Sequence, residues 1–239
     1  MQKFLLASIF YVAAILCSSN VAQAQDFFKD ANSFFGKYVK NGKVNYASIK
    51  SNPEGLDALV EMVANQSLAG KSADFKKAFY LNAYNISTIK GIVDKYPVVG
   101  PMKIEGFFKT KTHKIAGKST TLNDLENKTI RPTYKDARVH FALVCAAKGC
   151  PSIANFAFMP SKVNVQLESQ TKRAANSSYF TRVSAEKKEV KHSQLFDWYK
   201  ADFLAEASSI VDYLNKYRTT KIPANYTTST YNYDWNLNK

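Results

Sequence analysis

The sequence predicts an α+β fold, a single globular domain in which helices pack on a small, mainly antiparallel sheet. Three observations predict it. Apolar residues recur at helical spacing in several separate segments. The helical runs give way to short paired strand signals instead of alternating with single strands, which disfavours a doubly wound sheet. The 239 residues, 46% of them hydrophobic, contain no proline-rich, glycine-serine or single-sign block and no repeat at a solenoid period.

The elements follow in order. Lys3, the apolar run Phe4 to Leu16 and the small-x-small Ala22-Gln23-Ala24 predict a signal peptide over 1–24, cleaved before Gln25, with one domain over 25–239. Cys17 raises a lipoprotein alternative, but Leu16 stands where lipid processing needs a small residue. No later stretch approaches membrane-spanning length. The expected mature chain is therefore soluble and exported, periplasmic or secreted.

Phe27, Phe28, Ala31, Phe34, Phe35 and Tyr38 share one face of an opening amphipathic helix. Asn41-Gly42 marks a turn, and Asn52 and Pro53 sit at the cap and first turn of a helix through Val63. Ser72 caps a longer helix from Ala73 to about Lys95, stopped by Pro97. His113 to Ser119, with Gly117-Lys118 inside, reads as a hairpin. Thr121 and Asp124 form a capping pair for a brief helix. Arg138 to Pro151 reads as a buried strand, Val139 to Val144, running into a cysteine loop. Ser161 caps a helix to about Asn176. Phe180 to Val183 pairs with Glu189 to His192, and Ser193 caps a helix holding Phe196, Trp198 and Tyr199. A last helix carries Ile210, Tyr213, Leu214 and Tyr217, before an extended aromatic tail, Tyr231 to Leu237.

The formal charge is +14, with the lysines scattered over turns and polar faces. An exported chain with no reading motif is a poor nucleic-acid partner, so this surface reads as solubilising. Attraction to anionic envelope lipids or polysaccharides is the second reading. The partner expected is a small molecule or an envelope component, with no cofactor; oligomeric state is open.

AFYLNAYNISTIKGI (78–92), HKIAGKSTTLNDLENKTIR (113–131), DARVHFALVCAAKGCPSI (136–153), FDWYKADF (196–203) and the terminal YDWNLN occur in this order. Together they resemble the domain of unknown function 547 family, most firmly between about 72 and 203. Residues matching the family pattern include Asn82, Tyr84, Asn85, His113, Glu126, Arg131, His140, Cys145, Cys150 and Pro151. The resemblance implies no activity for them.

The chemistry therefore rests on the residues. Cys145 and Cys150 are either a disulfide, favoured by an oxidising compartment, or a functional thiol pair. A bridge over so short a loop would add about 2 kcal/mol and mainly fix its shape. Their spacing is wider than that of thioredoxin-like oxidoreductases, and scattered histidines make no zinc set. On a regular strand His140 and Cys145 face opposite ways, whereas Cys150 can fold back past Gly149. The candidate catalytic set is then Cys150 as nucleophile, His140 as base and Asn82 as oxyanion donor or histidine-orienting group. This is a thiol-based hydrolase or transferase, although the Asn-bearing helix has no cysteine at its start. Candidate binding residues are Asn85, His113, Glu126, Arg131 and Cys145, with no metal. The other class is a non-catalytic envelope protein that binds a ligand or partner. There the cysteines are bridged, Asn82 and Asn85 tie helix to sheet, and Glu126 and Arg131 form a helix-end ion pair.

Overall fold

The computed structural model describes residues 27–239. The predicted leader, its cleavage site and Cys17 lie outside the described residues. Helix α1 covers 27–38 and buries all six apolar residues that its periodicity places inward. The chain then turns through Asn41 (φ 53°) and Gly42 (φ 77°), the left-handed pair that a two-residue hairpin needs. This turn pairs β1 (Val39–Lys40) with β2 (Lys43–Val44) antiparallel. Asn45 caps α2 (Tyr46–Ser51). Asn52, expected to open the next helix, closes this one: its amide donates to the Ser48 carbonyl at 3.1 Å. α3 (Glu54–Asn65) starts directly after Pro53.

α4 (Ala73–Lys95) is the central column. Ser72 caps it, accepting from the Phe75 N–H at 3.2 Å, and it packs against both α2 and α3. It is buried nearly all round from Ala78 to Val93, as a core helix must be. β3 (Thr112–Ile115) and β4 (Lys118–Thr121) form the expected hairpin, His113 opposite Thr120. Thr121 caps α5 (Leu122–Asp124), which runs on through a π-helical turn (Leu125–Ile130) into α6 (Arg131–Tyr134).

The predicted strand through His140 is not a strand. Ala137–Phe141 is a 3-10 helix, and among the described residues no strand pairs with residues 142–144. Their backbone is satisfied by a side chain instead. Asn85 Nδ2 donates to the Ala142 carbonyl (2.8 Å), and Asn85 Oδ1 accepts from the Val144 N–H (3.0 Å). These are the two bonds that a neighbouring strand would have supplied, so a short apolar run stays buried without one.

α7 (Val163–Ala175) follows, but Ser161 does not cap it; Lys162 precedes it with no side-chain cap. β6 (Glu189–Ser193) is the middle of a three-stranded sheet, antiparallel to β5 (Thr181–Ser184) and parallel to β7 (Thr227–Tyr231). Between them lie α8 (Leu195–Trp198), α9 (Lys200–Leu204) and α10 (Ile210–Tyr217). Ser193 Oγ accepts from the Leu195 N–H at the start of α8. The result is α+β, with small and mainly antiparallel sheets.

Two apolar clusters fill the interior. One surrounds α4; the other gathers Phe141, Phe180, Phe196, Phe203 and Tyr213. Val139, Leu143 and Val144 belong to the first cluster and Phe141 to the second, so His140 lies at their seam. The tail then crosses the cysteine loop. Asp234 and Asn236 carbonyls accept from Gly149 and Lys148 (both 2.8 Å), and the Asn238 N–H donates to the Ala146 carbonyl (3.0 Å). Among the described residues, no helix is long and apolar enough to cross a membrane.

Candidate functional site

The first functional residue is His140, whose position follows from the 3-10 turn. Its ring is buried against Tyr199, stacked at a centroid distance of 4.0 Å. Its Nε2 lies 2.8 Å from Asp202 Oδ2 on α9. The Arg131 guanidinium grips the same carboxylate with two bonds, Nε to Oδ2 at 2.7 Å and Nη2 to Oδ1 at 3.0 Å. The His140 hydrogen bond, then Arg131, hold the Asp202 carboxyl well below the usual carboxylate range. An ionised carboxylate only accepts, so Nε2 is the protonated nitrogen and Nδ1 is the one left for chemistry.

Nδ1 faces Glu126, whose Oε1 is 4.0 Å away, beyond hydrogen-bond range. Glu126 sits in the π-helical turn, a local geometry that re-aims side chains and recurs at functional sites. It is buried, and the Tyr84 hydroxyl donates to its Oε2 at 3.2 Å. Burial first and then the Glu126 charge push the Tyr84 and Tyr199 hydroxyls up, so both stay protonated donors.

Cys145 and Cys150 are bonded to each other, with Cα atoms 6.4 Å apart. The Tyr233 hydroxyl lies 3.0 Å from Cys150 Sγ and 3.2 Å from Cys145 Sγ; bridged sulfurs carry no proton, so the tyrosine donates. Burial keeps that hydroxyl protonated. Tyr233, Trp198 and Trp235 form an aromatic trio at centroid distances of 4.7 to 5.8 Å.

These groups enclose one cavity of about 180 Å³. Glu126, His140, Tyr84, the two cysteines, Tyr199, Tyr233 and both tryptophans are among the residues that line it. His140, Cys145, Cys150 and Glu126 are thus brought together, and the strand-face separation of His140 from Cys145 disappears with the strand itself.

Other predicted residues fall elsewhere. Asn82 has both amide ends committed to the Phe158 backbone, at 2.8 and 2.9 Å, as Asn85 has to residues 142 and 144. Neither lines the cavity, so both serve as ties from helix to loop. Arg131 does not pair with Glu126; it pairs with Asp202 and acts through it. His113 lies on the β3–β4 hairpin and not in the cavity. Its Nε2 is buried without a partner, and burial, then Lys111, push it down to about 4. Asp202, Tyr199, Tyr233 and both tryptophans were not singled out from the sequence. The only hint was their place in the FDWYKADF and YDWNLN blocks. Among the described residues, no group of three or more His, Cys, Asp or Glu is placed to hold a metal ion.

Fold and site together define an α+β protein in which a buried histidine, held by a partly exposed aspartate, faces an aromatic, disulfide-walled cavity. Residues 68–173 match the family model described as Protein of unknown function, DUF547. The matched segment carries α4, Glu126, Arg131, His140 and both cysteines, and ends before Asp202 and the tail that complete the cavity. Neither the curated proteins nor the solved structures contain a match to this chain.

Proposed function

We propose that the protein is exported and binds a small ligand in the cavity beside Cys145–Cys150, with the bridge as a fixed part of the wall. The observation that carries this reading is the Tyr233 hydroxyl seated on both bonded sulfurs. In this form Cys150 offers no thiolate, and both asparagines are spent on backbone. What remains is a preformed concave site with aromatic walls and a few convergent polar groups, the usual make-up of a ligand pocket. The test is alkylation of protein purified from its own compartment, before and after reduction, with each cysteine read by peptide mass. Labelling of both only after reduction is expected; a Cys150 that labels rapidly without reductant would overturn the structural bridge.

A thiol-based hydrolase or transferase is the second reading, favoured by the His140–Asp202 pair in the same cavity. A partner dithiol would open the bridge and itself become a disulfide. Cys150 would then pass its proton to His140 Nδ1 and attack a carbonyl carbon. His140 would return the proton to the leaving group, and water or another acceptor would release the thioester. Reduced protein that turns over activated acyl substrates, with activity lost in Cys150→Ser and His140→Ala, is the result that would establish it.

A further inference from the structure

The cavity has an uneven charge. The chain carries 33 Lys and Arg against 19 Asp and Glu, yet among the described residues that line the cavity there is no lysine or arginine. Its one carboxylate is Glu126, only 8% exposed. A buried carboxylate is costly unless it is paired with a charge and hydrogen-bonded. Here the hydrogen bond is present, from Tyr84, but the charge partner is not at bonding distance. The two cations closest in sequence are taken: Lys128 pairs with Asp124 and Arg131 with Asp202. His140 is held by the same Asp202 through Nε2, and its Nδ1 stands 4.0 Å from Glu126.

Around this carboxylate the walls are aromatic. Six of the lining side chains are aromatic, Tyr84, Phe108, Trp198, Tyr199, Tyr233 and Trp235, and of these the Tyr199 ring already packs against His140 and the Arg131 guanidinium. Trp198 is 49% exposed and stacks on Trp235 at 5.8 Å. Ring faces carry negative quadrupole potential, and several rings converging on one space attract a cation; the attraction grows when the site is dry. An anion would meet Glu126 with no lysine or arginine among the lining residues to offset it. The volume, about 180 Å³, holds only a handful of waters at about 30 Å³ each, which suits an ammonium group on a short stem.

We propose that this cavity binds an ammonium cation, the charged end of an aliphatic amine, with Glu126 as its counter-ion and the aromatic rings as its cage. The inference rests on the ligand-binding reading above and names the class of ligand. A primary ammonium would donate to the free lone pairs of Glu126, and a quaternary one would rely on the rings alone.

The chain has two tryptophans, and both line this cavity, so their fluorescence reports on the site alone. Full-length mature protein would be titrated with n-butylammonium, tetramethylammonium, n-butanol and butanoate, at constant ionic strength. A saturable change with either cation is expected, at least about tenfold tighter than with butanol or butanoate. The two cations separate a lysine-like amine from a choline-like head. Glu126→Gln is expected to lose about tenfold for the cations only. Trp198→Ala, at a half-exposed position, is expected to weaken them, with folding checked by its denaturant midpoint, and Glu186→Gln on the β5–β6 turn is the neutral control. Butanol or butanoate binding as tightly as the cations, or a Glu126→Gln variant that is folded and unchanged, would overturn the ligand class and leave the binding reading standing. No saturable change with any of the four probes would overturn both.

Discussion

His140 Nε2 and Asp202 Oδ2 lie 2.8 Å apart although 62 positions separate them in the chain. The contact joins the 3-10 turn at the seam of the two apolar clusters to α9, and Arg131 closes it from the π-helical side. Asp202 thereby fixes the tautomer that leaves His140 Nδ1 facing the cavity. Asp202→Asn keeps the shape but leaves the Arg131 guanidinium unmatched. The side chains are about one-quarter exposed, so solvent screens the loss to about 1–2 kcal/mol in urea unfolding. In Arg131→Gln with Asp202→Asn the two costs should fall short of additive; strict additivity would mean that the pair is not coupled.

Asn85 is expected to be far more costly. Asn85→Ala strands the Ala142 carbonyl and the Val144 N–H in the core, at about 1–3 kcal/mol each. Asn82→Ala should resemble it at Phe158. Denaturant midpoints measure both. If either variant keeps wild-type stability but loses ligand binding, the amide belongs to the site and not to the fold.

Those two amides also explain what the sequence could and could not tell. Local signals held in several places, although the expected caps at Asn52 and Ser161 did not open their helices. Ser72 and Pro97 bracket α4, Asn41-Gly42 turns the first hairpin, and the aromatic periodicity of 27–38 faces inward. The run Val139 to Val144 misled because five apolar residues fit a strand or a buried turn equally well, and the deciding partner, Asn85, lies nearly sixty positions away. Half the site was legible for the same reason. His140, Cys145, Cys150 and Glu126 carry their chemistry on their faces. Asp202, Tyr233 and Trp235 reach the cavity only through long-range packing, with no spacing that announces it.

The tail is seated through glycine. A Cβ on Gly149 would stand 2.8 Å from the Tyr233 ring and 2.9 Å from the Asp234 nitrogen, and one on Gly100 would collide with the Trp235 carbonyl. Gly149→Ala must therefore shift the tail off the cysteine loop, at about 1–3 kcal/mol. Because Trp235 moves with it, the tryptophan emission should shift as well. An unchanged spectrum and stability would mean that the tail does not pack against the loop in solution.

His113 predicts a pH dependence. Burial, then Lys111, lower it to about 4, while Asp94 opposes the shift. The unfolded chain then takes up the proton first, near the ordinary histidine value of about 6.5. Stability from this group is fully present above about 6.5 and is lost as pH falls toward about 4. His113→Leu should flatten that slope in urea midpoints measured across the window. His192, also lowered by burial, leaves a residual slope in the same direction. A variant as pH-sensitive as the parent would place the titration elsewhere.

The disulfide separates the two functional readings through stability alone. Closing so short a loop restricts the unfolded chain by about 2 kcal/mol, so reduction, or Cys145→Ala with Cys150→Ala, should cost about that much. Tyr233→Phe should add little in the reduced protein but about 1 kcal/mol in the oxidised one, where its hydroxyl donates to both sulfurs. If the bridge is structural, ammonium binding weakens together with stability when it is opened, because the loop that carries the cavity wall loosens. A thiol enzyme would behave differently: reduction would leave the fold nearly as stable, and acyl turnover would appear where none existed. Guanidinium melts of oxidised, reduced and double-alanine protein, read beside the tryptophan titration, distinguish these outcomes in one set of samples.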